Sequence, residues 1–173
     1  MMKITSVGIA VASLIVGMAA IPFARGDQRP TQTQIDFAKG TAQLLQNEMI
    51  AALLKEFDET TTANAEQGKI AISLIFDNQN PAIRLIGTMS PLDPANAPRD
   101  KFETTALFNA VNQKGTPYEA VEQSQDGNNN WFYRRSIPLS NFHPACVTCH
   151  ISFGPQNSNE WVGALTLRVP IPK

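Results

Sequence analysis

The chain has 173 residues, with 14 Lys and Arg against 15 Asp and Glu, a formal net charge of −1. That length is enough for one domain with its own core, and a charge this balanced argues against a nucleic-acid partner. No run of like charge marks a tail, and no internal repeat or low-complexity tract divides the chain.

Met1-Met2-Lys3 makes a short positive start, followed by an uncharged, largely apolar stretch from Ile4 to Ala24, with small residues at Ala24 and Gly26. This is the order of a secretory signal, with cleavage expected before Asp27. The stretch is also long enough for an uncleaved single-helix membrane anchor, so both alternatives stay open. Residues 1–26 are therefore set apart from one folded domain over residues 27–173. Either alternative puts that domain outside the cytoplasm, in a periplasm or lumen.

After a polar joint from Asp27 to Thr31, a long helix is expected, capped by Thr31 or Thr33. Apolar residues recur from Ile35 to Phe57, and Leu45, Met49 and Leu53, four apart, share one face. The helix ends in the polar run Asp58 to Gln67. Lys69 to Phe76 is apolar and β-branched, either a buried strand or the start of a second helix, and its length favours the strand. Ala82 to Thr88 reads as a strand with Arg84 alternating outward. Pro91, Pro94 and Pro98 make Ser90 to Pro98 a loop. Asp100 to Gln113 is a second amphipathic helix, with Phe102, Leu107, Phe108 and Val111 predicted on its inner side.

Tyr118 to Gln123 and Asn130 to Pro138 read as a hairpin joined through Asp126-Gly127-Asn128. Phe142 to Ile151 is a short helical segment, and Trp161 to Val169 a closing strand. The sum is an α+β domain, an antiparallel sheet of about five strands with helices on one side.

Both cysteines fall in Cys146-Val147-Thr148-Cys149-His150, a C-x-x-C-H. This is the attachment pattern of a c-type haem. Each thiol can form a thioether to a porphyrin vinyl group, and two cysteines three apart on a helical turn share a face. The imidazole of His150 then ligates the iron. Two other chemistries use the same residues. A redox disulfide ordinarily sits in a βαβ context, which is not legible here. Zinc needs about four ligands in a tetrahedron, and His143, Cys146, Cys149 and His150 are crowded on one segment.

Ile83-Arg84-Leu85-Ile86, the loop Pro91-Leu92-Asp93-Pro94-Ala95-Asn96-Ala97-Pro98, Phe102-Glu103 opening a helix, the strand with Phe132-Tyr133-Arg134, and Ala145-Cys146-Val147-Thr148-Cys149-His150 together resemble a bacterial family. It comprises extracytoplasmic haem c proteins with a PAS-like domain, found alone or as sensor modules of chemoreceptors and kinases. The resemblance covers roughly residues 33 to 170. It implies a PAS-like sheet, with a long N-terminal helix and a C-terminal haem-binding segment, gripping one covalent haem c, with His150 as one axial ligand. Small cytochromes c usually carry the motif near the start of the chain, so its late position argues against their fold.

Some relatives place a cysteine opposite the histidine, and no third cysteine exists here. The candidates for the sixth iron ligand are Met49, Met89, His143 or water. Met49 is favoured, because it lies on the apolar face of the long helix, as some relatives' distal ligands do; a methionine in a helix stripe is also ordinary core. Arg134 and Arg135 follow an aromatic pair on a strand, so one of them points inward or to the rim, where a guanidinium could hold a haem propionate; a solvated strand face is the alternative.

Three functional classes follow: electron transfer, redox or gas sensing through a partner protein, and haem enzymology. Within the 173 residues no kinase, coiled-coil output or second apolar span is legible. The expectation leans to electron transfer with a redox partner protein or membrane oxidoreductase, and sensing stands second. A peroxidase needs a distal acid/base, for which only His143 is available.

Overall fold

The computed structural model describes residues 29–58, 61, 63–68, 70, 76, 82–87, 94–113, 115–125, 130–149, 154 and 161–173. The segment expected to be a signal or anchor lies outside them. Among the described residues, no helix is long and apolar enough to cross a membrane.

Helix α1 spans Gln32–Asp58, about 40 Å at 1.5 Å per residue. It starts where Thr31 forms a capping box with Gln34. The Gln34 backbone N–H donates to Thr31 Oγ1 at 3.4 Å, and the Thr31 N–H donates to Gln34 Oε1 at 2.8 Å. Strand β1 is Ile83–Gly87, and a 3-10 turn at Pro94–Asn96 leads into helix α2, Lys101–Gln113. Strands β2 (Tyr118–Gln123) and β3 (Trp131–Ser140), the short helix α3 (Cys146–Cys149) and strand β4 (Trp161–Pro170) complete the order.

The domain is α+β. Its sheet is antiparallel throughout, in the order β1-β4-β3-β2. The described sheet has four strands rather than about five. The remaining candidate, Lys69 to Phe76, lies outside the described residues except at Ile70, which is helical, and at Phe76, which is buried.

The two long helices pack on opposite faces of the sheet, not on one side as the sequence suggests. Side chains alternate across a strand, and here both faces are covered. On the α1 face, Ala38 and Ala42 meet Tyr133, Leu167 and Val169, while Leu53 and Phe57 meet Phe76 and Leu165. Each buried Leu or Phe of this kind contributes about 1.5–3 kcal/mol. On the α2 face, Leu107 packs on Ile86 and Ala164.

This two-sided cover corrects two sequence expectations. Arg84 does alternate away from Ile83 and Leu85, but the face it enters lies under α2, and it is only 1% exposed. Its charge is met there by Glu103. On α2 itself, Phe102, Glu103, Ala106, Leu107 and Ala110 are buried, while Phe108 and Val111 are 67% and 59% exposed. The alanines let the helix approach the sheet closely, and the buried stripe runs through them instead of through Phe108.

The β3–β4 ladder shifts register between Leu139 and Ser140, so that Leu139 faces Gly163 and Ser140 faces Trp161. Such a bulge bends the chain locally. It falls where β3 hands over to the motif-bearing segment.

Candidate functional site

The first four residues of the C-x-x-C-H motif form α3, Cys146–Cys149, a short turn after the end of β3 at Ser140. The turn ahead of it is held by Asn141, which is 1% exposed. The Asn141 side-chain amide donates to the Gly154 carbonyl at 2.8 Å, and its Oδ1 accepts the His143 N–H at 3.3 Å. One buried side chain thus ties the chain before the motif to the chain after it. The His143 carbonyl then accepts the Cys146 N–H at 3.0 Å, and the Ala145 carbonyl accepts that of Thr148 at 3.1 Å. Orphan donors of the short helix are satisfied in this way.

Cys146 is partly buried and packs on the second cluster of the α1 face, built from Leu53, Phe57, Phe76 and Leu165. Met49 packs against the same cluster from α1, as do Leu139 and Phe142 from the sheet side. Phe57 joins helix and motif segment: its ring meets Phe142 edge-on at 5.2 Å and lies 5.2 Å from the His143 ring, offset geometries favoured by the ring quadrupoles. The structure therefore brings Cys146 and Met49 to one apolar wall. The Cys149 side chain, His150 and Met89 lie outside the described residues.

His143 has a local task. Its Nδ1 accepts the Ala145 N–H at 3.1 Å. That bond occupies Nδ1 and leaves Nε2 as the other ring nitrogen.

The two arginines on β3 point to opposite faces. Arg135 is on the α1 face with Cys146. Its Nε donates to Gln46 Oε1 on α1 at 2.8 Å, and its guanidinium pairs with Glu119, its cross-strand neighbour. Glu119 also pairs with Lys39 of α1 at 3.0 Å. Burial pulls the Arg135 guanidinium below its ordinary value. Arg134 is on the other face, 7% exposed, and the structure does not bring it together with Cys146. It pairs with Asp100 at 2.6 Å and Glu122 at 3.1 Å, and stacks over Phe102 at 4.1 Å.

Under α2 these residues form a polar network. Besides Glu103, Arg84 donates to the carbonyls of Ala95 and Ala97 at 2.8 and 3.1 Å, which fixes the proline loop. Glu103 Oε2 also accepts the Arg99 N–H at 2.8 Å. Asp100 caps α2, accepting the Glu103 N–H at 2.9 Å. Burial raises the Asp100 carboxyl, but the hydrogen bonds from Arg134 and the Glu103 backbone, with the charges of Arg134 and Arg84, outweigh it and hold the group below its ordinary value. Three of the segments that carry the sequence resemblance, Ile83 to Ile86, the described part of the proline loop at Ala95 to Ala97, and Phe102-Glu103, thus converge on one buried guanidinium.

Sequence reasoning missed Asn141 and the role of Glu103. Asn141 belongs to no motif or periodic pattern, and its burial and its bond to Gly154 identify it as the anchor of the motif. Comparison with known proteins identifies nothing similar: no family model, no curated protein and no solved structure matches the chain.

Proposed function

We propose that this chain is a monohaem c-type cytochrome with a PAS-like domain, working outside the cytoplasm in electron transfer with a redox partner or membrane oxidoreductase. The observation that carries the proposal is the position of Cys146. It sits on a helical turn inside C-x-x-C-H, against a wall of Leu53, Phe57, Phe76 and Leu165. A covalent porphyrin needs a thiol at the edge of an apolar face, and the donor set fits. Cys146 and Cys149 would hold the porphyrin, and His150 would hold the iron on one side. The bound haem supplies a one-electron couple.

The chain's own residues would shape that couple. The apolar wall excludes water from one ring face. Met49, on the same wall, would be the sixth ligand, and a thioether raises the potential. His143 would stay in its local bond from Ala145. Of the two candidate propionate partners, Arg135 shares the motif's face and would have to exchange Glu119 for the propionate; Arg134 faces its own carboxylates across the sheet.

The test is the intact mass and optical spectrum of the full chain made in a host with a c-type maturation system. One added haem, lost on Cys146→Ser together with Cys149→Ser, supports the proposal. A colourless product of bare polypeptide mass ends it. Sensing through a partner protein is the second reading, and a cavity of about 610 Å³ between α2 and the sheet, lined by Arg84, Arg134 and Arg168, favours it as room for a second ligand.

A further inference from the structure

The α2 face of the sheet carries a cavity of about 610 Å³, lined by α2, its N-terminal approach and strands β1 to β4. A volume of this order suits a small molecule. Its walls are unusually charged. Five cationic side chains meet three carboxylates, a surplus of two positive charges.

Arg99 and Lys101 sit at the N-terminal end of α2, and the other three cations form a row. Arg84 on β1, Arg168 on β4 and Arg134 on β3 rise from three neighbouring strands on one face, and Arg134 and Arg168 stand directly opposite each other in the ladder. Like charges in that relation destabilise a sheet. Glu103 answers Arg84, and Asp100 and Glu122 answer Arg134. Arg168 has no carboxylate partner among the described residues; its guanidinium lies over the Phe132 ring at 3.6 Å. The Nε atoms of Arg84 and Arg134 are also buried without a hydrogen-bond partner among the described residues, which costs free energy unless something accepts them.

We propose that this cavity binds a small organic dianion, a dicarboxylate, whose carboxylates take the spare donors of the arginine row with Arg168 as principal contact. Planar guanidinium forks match planar carboxylates. The surplus of two charges sets the ligand's charge. Glu122 and Asp100 on the same wall repel anything more highly charged, such as a polyphosphate. The site is separate from the proposed haem wall, with the sheet between them, and does not depend on it.

The experiment is calorimetric titration of the full chain with succinate, with uncharged succinamide and with inorganic phosphate. Saturable succinate binding without a succinamide response is expected. Arg168→Gln should weaken succinate at least about tenfold, as for one lost charge-assisted contact. Arg168→Lys, which keeps the charge without the fork, should weaken it by a smaller factor, and decides the matter should the glutamine variant fail to fold. No saturable succinate binding at millimolar concentration, an equal response to succinamide, tighter binding of phosphate, or unchanged affinity in a folded Arg168 variant overturns the proposal. A colourless chain that still titrates with succinate ends the cytochrome proposal and leaves this one standing.

Discussion

Arg84 on β1 and Glu103 on α2 form an ion pair whose side chains are 2% and 4% exposed. Two charges so deeply buried are expensive to desolvate, and mutual attraction offsets that only while both are present. Glu103→Ala leaves the guanidinium buried and uncompensated, and should cost about 3–5 kcal/mol. Replacing both, Arg84→Met with Glu103→Leu, should cost far less, because no lone charge is left inside. Urea unfolding of the three proteins checks this. Equal losses in the single and double variants would show that the pair is not the source of the effect.

Two glycines predict opposite signs. A Cβ on Gly163 would lie 2.5 Å from the Ile86 carbonyl oxygen, in the β1–β4 ladder. Gly163→Ala must push two paired backbones apart and should destabilise by roughly 1–3 kcal/mol. At Gly40, within α1, nothing lies within 4 Å. Gly40→Ala should therefore stabilise by about 0.5–1 kcal/mol through helix propensity. Thermal midpoints moving in the same direction for both would refute the assignment.

Stability should decline at both ends of the pH scale for identifiable reasons. Asp100 has its value depressed below the ordinary 3.8 in the folded chain. Its contribution is present above 3.8 and is lost as pH falls below that value, through the folded one. Asp100→Asn should flatten this acid limb. Tyr133 behaves oppositely. Burial alone pushes its phenol from 10.0 up to about 12, so the folded state holds the proton more tightly. Stability is full below pH 10 and falls as pH rises from there toward 12. Its hydroxyl is buried without a hydrogen-bond partner among the described residues. Tyr133→Phe should remove the alkaline dependence and be neutral or stabilising, by up to about 1 kcal/mol. Near-ultraviolet titration and unfolding across pH report both limbs.

If Met49 is the sixth ligand, the haem-loaded protein is low-spin in both oxidation states. Met49→Ala should then give a high-spin iron with a lower potential, while Leu45→Ala, a turn away on α1, should leave the spectrum alone. An unchanged spectrum in the Met49 variant returns that side chain to plain core.

The sequence revealed periodicity better than it revealed cover. The four-residue spacing of Leu45, Met49 and Leu53 located the inner face of α1, and of the two cap candidates, Thr31 and Thr33, the structure uses Thr31. Alternation likewise located β1. What a strand cannot encode locally is whether its second face is solvated. Arg84 reads as a surface residue until α2, sixteen or more positions later in the chain, arrives with a carboxylate to meet it. The same limit misplaced Phe108 and Val111. Their hydrophobicity suggests burial, but the small Ala106 and Ala110 set how α2 lies on the sheet. In the motif segment, the helical turn at Cys146–Cys149 was legible in the sequence, whereas the anchoring role of Asn141 was not. An asparagine's importance rests on the carbonyl it reaches, and Gly154 lies thirteen residues away.

Ser140 and Trp161 are paired across the β3–β4 ladder, so the motif-bearing stretch leaves and re-enters the sheet at a single point. Mechanically it is a cassette. Its ends are clamped by the ladder, and the Asn141–Gly154 bond ties its interior back to its start. Were the motif to hold a haem as proposed, residues 141–160 grafted between two antiparallel strands of another sheet would carry the two cysteines but leave the wall behind, and the recipient would have to supply its own apolar helix face.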